Sequence, residues 1–530
     1  MELASKKELD DITRWVKFSG AAWTADGYYY SGFEKPTPGN ELKGTDKFQK
    51  LFFHKLGEPQ EKDVIIFEDK DHPYRFVSGS VTDDKRFLLV YISEGTSGNE
   101  LYFKDLNRKD SKFVQIVKGF ENNAQVIDND ADKLLLITDI GAANYKIVSV
   151  DTRNPEQKNW KIIVAEKPEV LSSATTSGGY LFCSYLKDAA TKVFQHTYDG
   201  NLVREIQMPT LGTASGFGSE KSDSFCFYTF TSFTYPPTIF KYHVHSGKSE
   251  LFRKSEVKFN PDDFETKQVF YTSKDSTKVP MFIVYKKGLK LDGKNPTMLY
   301  GYGGFDISEV PYFSPANLIL LENGGVYAQP NIRGGGEYGE VWHKAGMKLK
   351  KQNVFDDFIA AAEYLIAEKY TNRDQLAILG GSNGGLLVGA CMVQRPELFK
   401  VAFPAVGVMD MLRYQKFTIG WGWAVEYGSS DSSRYFKYLY GYSPLHNIKK
   451  GVAYPATMVT TADHDDRVVP AHSFKFIATL QAAQAGPAPT LIRIQSRSGH
   501  GASNISKSIE ESADRWAFMF YNLNVTPGYK

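Results

Sequence analysis

Cysteine is scarce in this chain, with Cys183, Cys226 and Cys391 the only three in 530 residues. Three widely spaced thiols build no disulfide framework and fit a reducing compartment, so a cytoplasmic protein is expected. Long apolar runs are missing too: no stretch approaches the roughly 18 residues that a membrane-crossing helix needs. The opening residues, Met1-Glu2-Leu3-Ala4-Ser5-Lys6-Lys7-Glu8, lack the apolar segment of a signal peptide. Neither sign of charge dominates, because 63 Lys and Arg face 61 Asp and Glu for a net of +2. Nucleic acid and acidic membrane surfaces are therefore not expected partners. At this length a single core does not suffice, and at least two domains are expected.

What the chain does contain is a serine set among glycines between a strand and a helix. Gln375 to Leu379 is an apolar run of strand length, and Leu386 to Val393 reads as a buried helix. Gly380-Gly381-Ser382-Asn383-Gly384-Gly385 joins them in the G-x-S-x-G pattern of a nucleophile elbow. Glycine is needed there because larger side chains would meet the neighbouring strand and helix. A serine hydroxyl also needs a base to take its proton and a carboxylate to orient that base. After an elbow these follow in the order acid, then histidine.

Tyr454 to Thr461 is a strand candidate running into Ala462-Asp463-His464-Asp465-Asp466-Arg467-Val468-Val469-Pro470. Thr490 to Ile494 is another, leading to Ser498-Gly499-His500-Gly501-Ala502. Both loops lie just past a strand, where open α/β sheets place their chemistry. Of the ten histidines, His500 has the best setting for a general base, and Asp463, Asp465 and Asp466 are all candidate acids. A solvated turn or a metal cluster is the competing reading of the acidic loop, but no further ligand spacing accompanies it. No metal and no cofactor is expected.

The first half repeats a two-strand unit closed by Asp or Gly. It occurs at Trp23–Tyr30 with Leu51–Gly57, Asp84–Ile92 with Leu101–Leu106, and Asp132–Asp139 with Tyr145–Asp151. It returns at Gly179–Tyr185 with Lys192–Gly200 and at Asp223–Phe233 with Thr238–Gly247. A period of roughly 40–50 residues is that of β-propeller blades, which bury their faces only by stacking. The regular recurrence argues against a β-sandwich.

In the second half, strands are expected at Gln268–Tyr271, Met281–Tyr285, Thr297–Tyr300, Gly325–Gln329, Leu376–Leu379, Val401–Ala405, Ala456–Thr460 and Leu491–Ile494. Helical patterns lie between several of them: one carries Val354, Phe355, Phe358, Ile359, Ala362, Leu365 and Ile366 on a single face, and others span Ala471–Ala482 and Ile505–Leu523. The expected fold is an incomplete all-β propeller over residues 1–257, then a doubly wound, mostly parallel α/β-hydrolase domain over 258–530.

The elbow, the acidic loop and the His500 loop resemble those of prolyl oligopeptidases, serine peptidases that cut after proline. Tyr300-Gly301-Tyr302-Gly303-Gly304-Phe305, Asn331 to Gly339, and Tyr442-Ser443-Pro444-Leu445-His446-Asn447 extend the likeness. It is dense from about Phe259 onward and weaker before, beginning near Arg14 to Ser19. The resemblance implies Ser382 as nucleophile, Asp465 as the orienting acid and His500 as base. It implies the Asn383 N–H and the Tyr302 hydroxyl as donors to the oxyanion. It also implies Trp423 stacking on the substrate proline, walled by Phe305, Val408, Tyr427 and Val468, with Arg467 holding the preceding carbonyl. Trp421 is read as ordinary core. An apolar slot suits a pyrrolidine ring and would leave a buried Lys or Arg unpaired.

The expected activity is therefore endoproteolysis of short proline-containing peptides by a monomer. Family members have seven blades and a leading hydrolase segment, whereas about five repeats occur here, so an N-terminally shortened form is expected. An open ring would loosen the size limit on substrates and lower stability, and an export signal lost with the missing part would make the protein periplasmic or secreted. Alternatives are an acylaminoacyl peptidase, a dipeptidyl peptidase, an esterase, or an inactive peptide-binding propeller. Trp423 and Arg467 favour the proline-cutting endopeptidase, and the blades carry no adjacent glutamate pair for a dipeptidyl peptidase's amine grip.

Overall fold

The computed structural model describes residues 4–40 and 46–528, which leaves Met1–Leu3 of the opening stretch outside the described residues. The first half forms five antiparallel four-stranded sheets. The first blade is Ala22–Trp23, Gly27–Gly32, Lys50–Lys55 and Val64–Glu68, and the last is Thr213–Gly216, Phe225–Ser232, Tyr235–His243 and Ser249–Lys254. Each repeat seen in the sequence is the second and third strand of one blade.

Side chains alternate between the two faces of a strand, so each middle strand serves two neighbours. In Phe87–Ser93, Leu88, Val90 and Ile92 join Leu51 and Val77 against the first blade. Phe87 and Leu89 face the other way, packing with Leu134 and Leu136 of the third. The pattern returns at Tyr180–Lys187, where Leu181, Cys183 and Tyr185 meet the third blade and Phe182 meets the fifth. The core of this half thus lies between blades rather than within them.

All three thiols are buried and free. Burial pushes the Cys183 thiol up to about 12 and the Cys226 thiol up to about 11.

From Phe264 onward the chain builds one eight-stranded sheet. Its spatial order is Phe264–Thr272, Lys278–Lys286, Val326–Pro330, Thr297–Tyr300, Leu376–Gly381, Val401–Ala405, Ala456–Ala462 and Thr490–Gln495. The first two strands pair antiparallel and the second pairs antiparallel with Val326–Pro330; every later pairing is parallel. Alternation again assigns the faces. Met281 and Ile283 point to a core that includes Val354, Phe355 and Phe358 of helix Gln352–Ala367 and Leu386 of helix Asn383–Gln394. Phe282 and Val284 point to Trp516, Met519 and Phe520 of helix Ile505–Asn522. Both faces are covered, as a mostly parallel sheet requires.

A buried ion pair ties the loop after Val326–Pro330 to the first of these helices. Asp357 is fully buried and accepts from the Arg333 backbone N–H at 3.0 Å, from Nε at 2.9 Å and from Nη2 at 2.6 Å. Asp275 meets the same guanidinium from a half-exposed position. Removing one partner of a buried pair strands the other charge, whereas an exposed pair contributes little. Asp357→Ala is expected to destabilise the protein by about 3–5 kcal/mol in urea denaturation, and Asp275→Ala by no more than about 1 kcal/mol.

Candidate active site

The elbow is built by backbone crowding. Ser382 caps helix Asn383–Gln394 with φ 57° and ψ −115°, a combination that a non-glycine residue keeps only where its surroundings enforce it. Its N–H donates to Ala405 O at 2.9 Å, pinning it to the adjacent parallel strand. A Cβ on Gly380 would lie 2.4 Å from Gly384 O and 2.7 Å from Gly301 O. At Gly381 the nearest atom would be 3.9 Å away, so that glycine is not sterically required. The turn therefore depends on Gly380, and equally on Gly384 and Gly385, where a Cβ would lie 2.5 Å from Gly301 O and from Ala405 O respectively.

Tyr302, Ser382, Asp465 and His500 each follow the C-terminal end of a parallel strand. The three aspartates of the acidic loop divide their tasks. Asp465 is fully buried; Oδ2 lies 2.7 Å from His500 Nδ1, and Oδ1 accepts the N–H groups of Arg467 at 3.0 Å and Val468 at 2.9 Å. Asp463 lies 2.6 Å from His464 Nδ1 and accepts the Ser498 N–H at 3.3 Å, stapling the acidic loop to the His500 loop. Asp466 turns outward to Lys17 of the propeller half, 2.8 Å away. Among the described residues no hydrogen bond joins His500 to Ser382.

Ser382 opens onto a cavity of about 460 Å³. Tyr302, Phe305, Val408, Trp423, Tyr427 and Arg467 line it, while Val468 is buried behind the wall. Trp423 backs onto Tyr414 with the rings 13° from parallel, and Phe305 meets Tyr427 edge-on at 5.4 Å. Arg467 lies over the Phe18 ring, 5.6 Å from its centroid. Ile307, Ile419 and Gly422 add to it from the hydrolase half, and the rest comes from the first two blades and the segment leading into them, with Phe18, Gln49, Phe76 and Ser93 among its residues. Sequence reasoning missed these because nothing local marks a blade residue as facing another domain. Trp421 corrects the reading of it as ordinary core. It is only half-buried and stacks on Phe76 at 4.9 Å, placing it between the two halves.

Charged groups packed behind the Tyr302 loop are unusually buried. Burial first, then the charges of Glu309 and Glu426, raises the Tyr302 hydroxyl to about 12, with Arg467 and a hydrogen bond to Ser382 opposing. Glu426 accepts the Phe305 N–H at 2.8 Å and faces His343 Nε2 at 2.9 Å. Burial disfavours a charged His343, but the carboxylates around it, Glu340 and Glu426 foremost, outweigh that and raise it to about 10. Asp306, Glu340 and His343 bring potential metal-ligand atoms within 4.8 Å of one another. The imidazolium already supplies positive charge there, and Lys344 adds more, 3.0 Å from Glu340.

These elements define a serine hydrolase of the α/β type whose active cavity is roofed by a β-propeller. The family model described as "Prolyl oligopeptidase, N-terminal beta-propeller domain" matches residues 1–255, and that described as "Prolyl oligopeptidase family" matches residues 311–526. The prolyl endopeptidase of Elizabethkingia miricola is 52% identical over 99% of this chain and 75% of its own length. The chain belongs to the prolyl oligopeptidase family. The propeller match reaches residue 1, ahead of the Arg14 to Ser19 segment near which the sequence resemblance begins.

A solved structure from a study of two prolyl endopeptidases superposes with a TM-score of 0.91 at 44% identity, covering 96% of this chain and 75% of that one. Prolyl oligopeptidase B of Galerina marginata, bound to a 35mer hydrolysis and macrocyclization substrate, gives 0.92 at 34% identity over 98% of this chain and 74% of its own. The apo form of the same protein gives 0.69, covering 98% and 73%. This chain thus superposes more closely on the substrate-bound form of that protein than on its apo form.

Glu309 and Glu337 supply a pH test of the packing behind Tyr302. Burial raises Glu309 to about 8, with the Glu337 charge adding to it, and burial raises Glu337 to about 7. A carboxyl whose folded pKa exceeds its unfolded value favours folding fully below the unfolded pKa and loses that contribution as pH rises through the folded one. The thermal midpoint should therefore fall between about pH 5 and pH 8. Glu309→Gln, which cannot ionise, should fall less over the same range.

Proposed function

We propose that the protein is a serine endopeptidase that hydrolyses short peptides on the carboxyl side of proline through an acyl-enzyme intermediate. The observation that carries this reading is the strained Ser382 at the mouth of an apolar cavity walled by Trp423, Tyr427, Phe305 and Val408. A pyrrolidine ring fills such a slot with no N–H left to satisfy. Arg467 offers guanidinium donors for the carbonyl of the residue before the proline.

In this reading Ser382 Oγ attacks the carbonyl carbon while His500 takes its proton, and Asp465 holds the imidazole in the correct tautomer. Charge accumulates on the carbonyl oxygen, where the Asn383 N–H and the Tyr302 hydroxyl stabilise it. Collapse breaks the C–N bond, and His500 returns the proton to the leaving amine. Water, activated by the same histidine, then frees the acid and restores Ser382. The His500 loop must close on Ser382 for the first step. Gly499 and Gly501, the latter at φ +131°, give that loop the freedom to do so, and apo geometry at catalytic histidines is often looser than in the complex.

The division between the two parts falls at residues 257 and 258, and the enzyme acts as a monomer. Among the described residues no helix is long and apolar enough to cross a membrane, and three free buried thiols support a cytoplasmic site.

Hydrolysis of a blocked Gly-Pro reporter peptide tests the assignment. Ser382→Ala should fold normally by circular dichroism and show no turnover; cleavage that survived this change would remove Ser382 as nucleophile. Tyr302→Phe should lower kcat by about 10²–10³-fold with KM little changed. A loss confined to KM would mean that this hydroxyl only binds substrate.

A further inference from the structure

Lys351 has no part in the steps above, yet it is an almost fully enclosed cation close to them. It ends the run Lys348-Leu349-Lys350-Lys351, and Lys350 is exposed while Lys351 is 1% exposed. Its Nζ donates to Gly303 O at 2.8 Å and to Asn383 Oδ1 at 2.9 Å. The same Asn383 oxygen accepts the Tyr427 hydroxyl at 2.9 Å, and Asn383 Nδ2 donates to Tyr302 O at 2.6 Å. Among the described residues no carboxylate lies within ion-pair distance of this ammonium. Burial lowers its pKa to about 8, and the Glu426 charge only partly restores it.

An enclosed cation without an ion-pair partner is costly, and an apolar side chain of the same length would fill the space without that penalty. What the ammonium adds is a link between two backbone segments. Gly303 follows Tyr302 directly, and Asn383 follows Ser382 directly. We propose that Lys351 is a positioning residue: it locks the Tyr302 loop to the first residue of the elbow helix, so that the Tyr302 hydroxyl and the Asn383 N–H keep one spacing as the oxyanion forms. The inference rests on the peptidase reading and assigns to it the group that sets the oxyanion donors. Preset donors lose effect when displaced by a fraction of an ångström, which is why their support matters.

Lys351→Met keeps the length and apolar stem but removes every donor. On the Gly-Pro reporter its kcat should fall about 10²-fold with KM within about threefold of wild type. Because it acts through Tyr302, the double variant with Tyr302→Phe should lose far less than the product of the two single losses. Lys351→Arg keeps the charge but cannot place a planar fork on both acceptors, so about a tenfold loss in kcat is expected. Lys350→Met is the exposed control and should match wild type.

A folded Lys351→Met with wild-type kcat, or fully multiplicative losses with Tyr302→Phe, would overturn the proposal. Should the Met variant not fold, wild-type kcat in folded Lys351→Arg would overturn it instead. A purely structural role would lower the melting temperature without producing the kcat-against-KM split. If wild-type protein failed to cleave the reporter, the peptidase reading itself would fall; active wild type with an unaffected Lys351 variant sinks only this inference.

Discussion

Ser382 holds a backbone conformation that the chain would abandon if its neighbours gave way, and the hydrolase half is arranged so that they do not. On one side Gly380 presses against Gly384 and Gly301; on the other, the Ser382 N–H is bonded to Ala405. These are main-chain contacts between parallel strands and the first turn of a buried helix, and they cannot relax by a rotamer change. The Asn383 side chain then fastens that helix to the Tyr302 loop, the Tyr427 wall and Lys351 together. Ser382, Asn383, the Tyr302 loop and the Tyr427 wall are thereby tied into one unit.

Asp465 and His500 stand outside that unit. Asp465 is fixed by two N–H groups of its own loop, and the staple from Asp463 to Ser498 carries the His500 loop with it. The propeller half grips the same region through Lys17 and Asp466, and through Phe76 against Trp421. Both contacts come from the first two blades or the segment leading into them, which also supply much of the far wall of the cavity. The enclosure of the pocket and the attachment of the acid loop therefore depend on one interface.

How far the sequence disclosed this architecture depended on where each signal lies. Second strands such as Phe87–Ser93 and Tyr180–Lys187 were legible because both their faces are buried between neighbours, and third strands such as Glu100–Asp105 because buried positions alternate along them. The first and fourth strands were not: Ala22–Trp23 has two residues, and Ser249–Lys254 is exposed at most positions. The hydrolase strands were located to within a few residues, since a parallel sheet covered on both faces leaves an unbroken apolar mark. In the site, elbow and loop motifs are local and could be read. Phe18 and Phe76 each lie more than three hundred residues of chain from Ser382, so no spacing reveals them. Lys351 sits among lysines, and only tertiary packing distinguishes it from its exposed neighbour.

The seclusion of the native thiols has a practical corollary for spectroscopy. Cys183 and Cys226 lie in the seams between blades and Cys391 in the elbow helix, all shielded from solvent. Maleimide chemistry needs an accessible thiolate, which these positions withhold. A cysteine introduced on the outer edge of a blade and another on the hydrolase surface would thus be labelled selectively in the otherwise unaltered chain. Fluorophore or spin-label pairs placed this way would report the separation of the two halves during turnover.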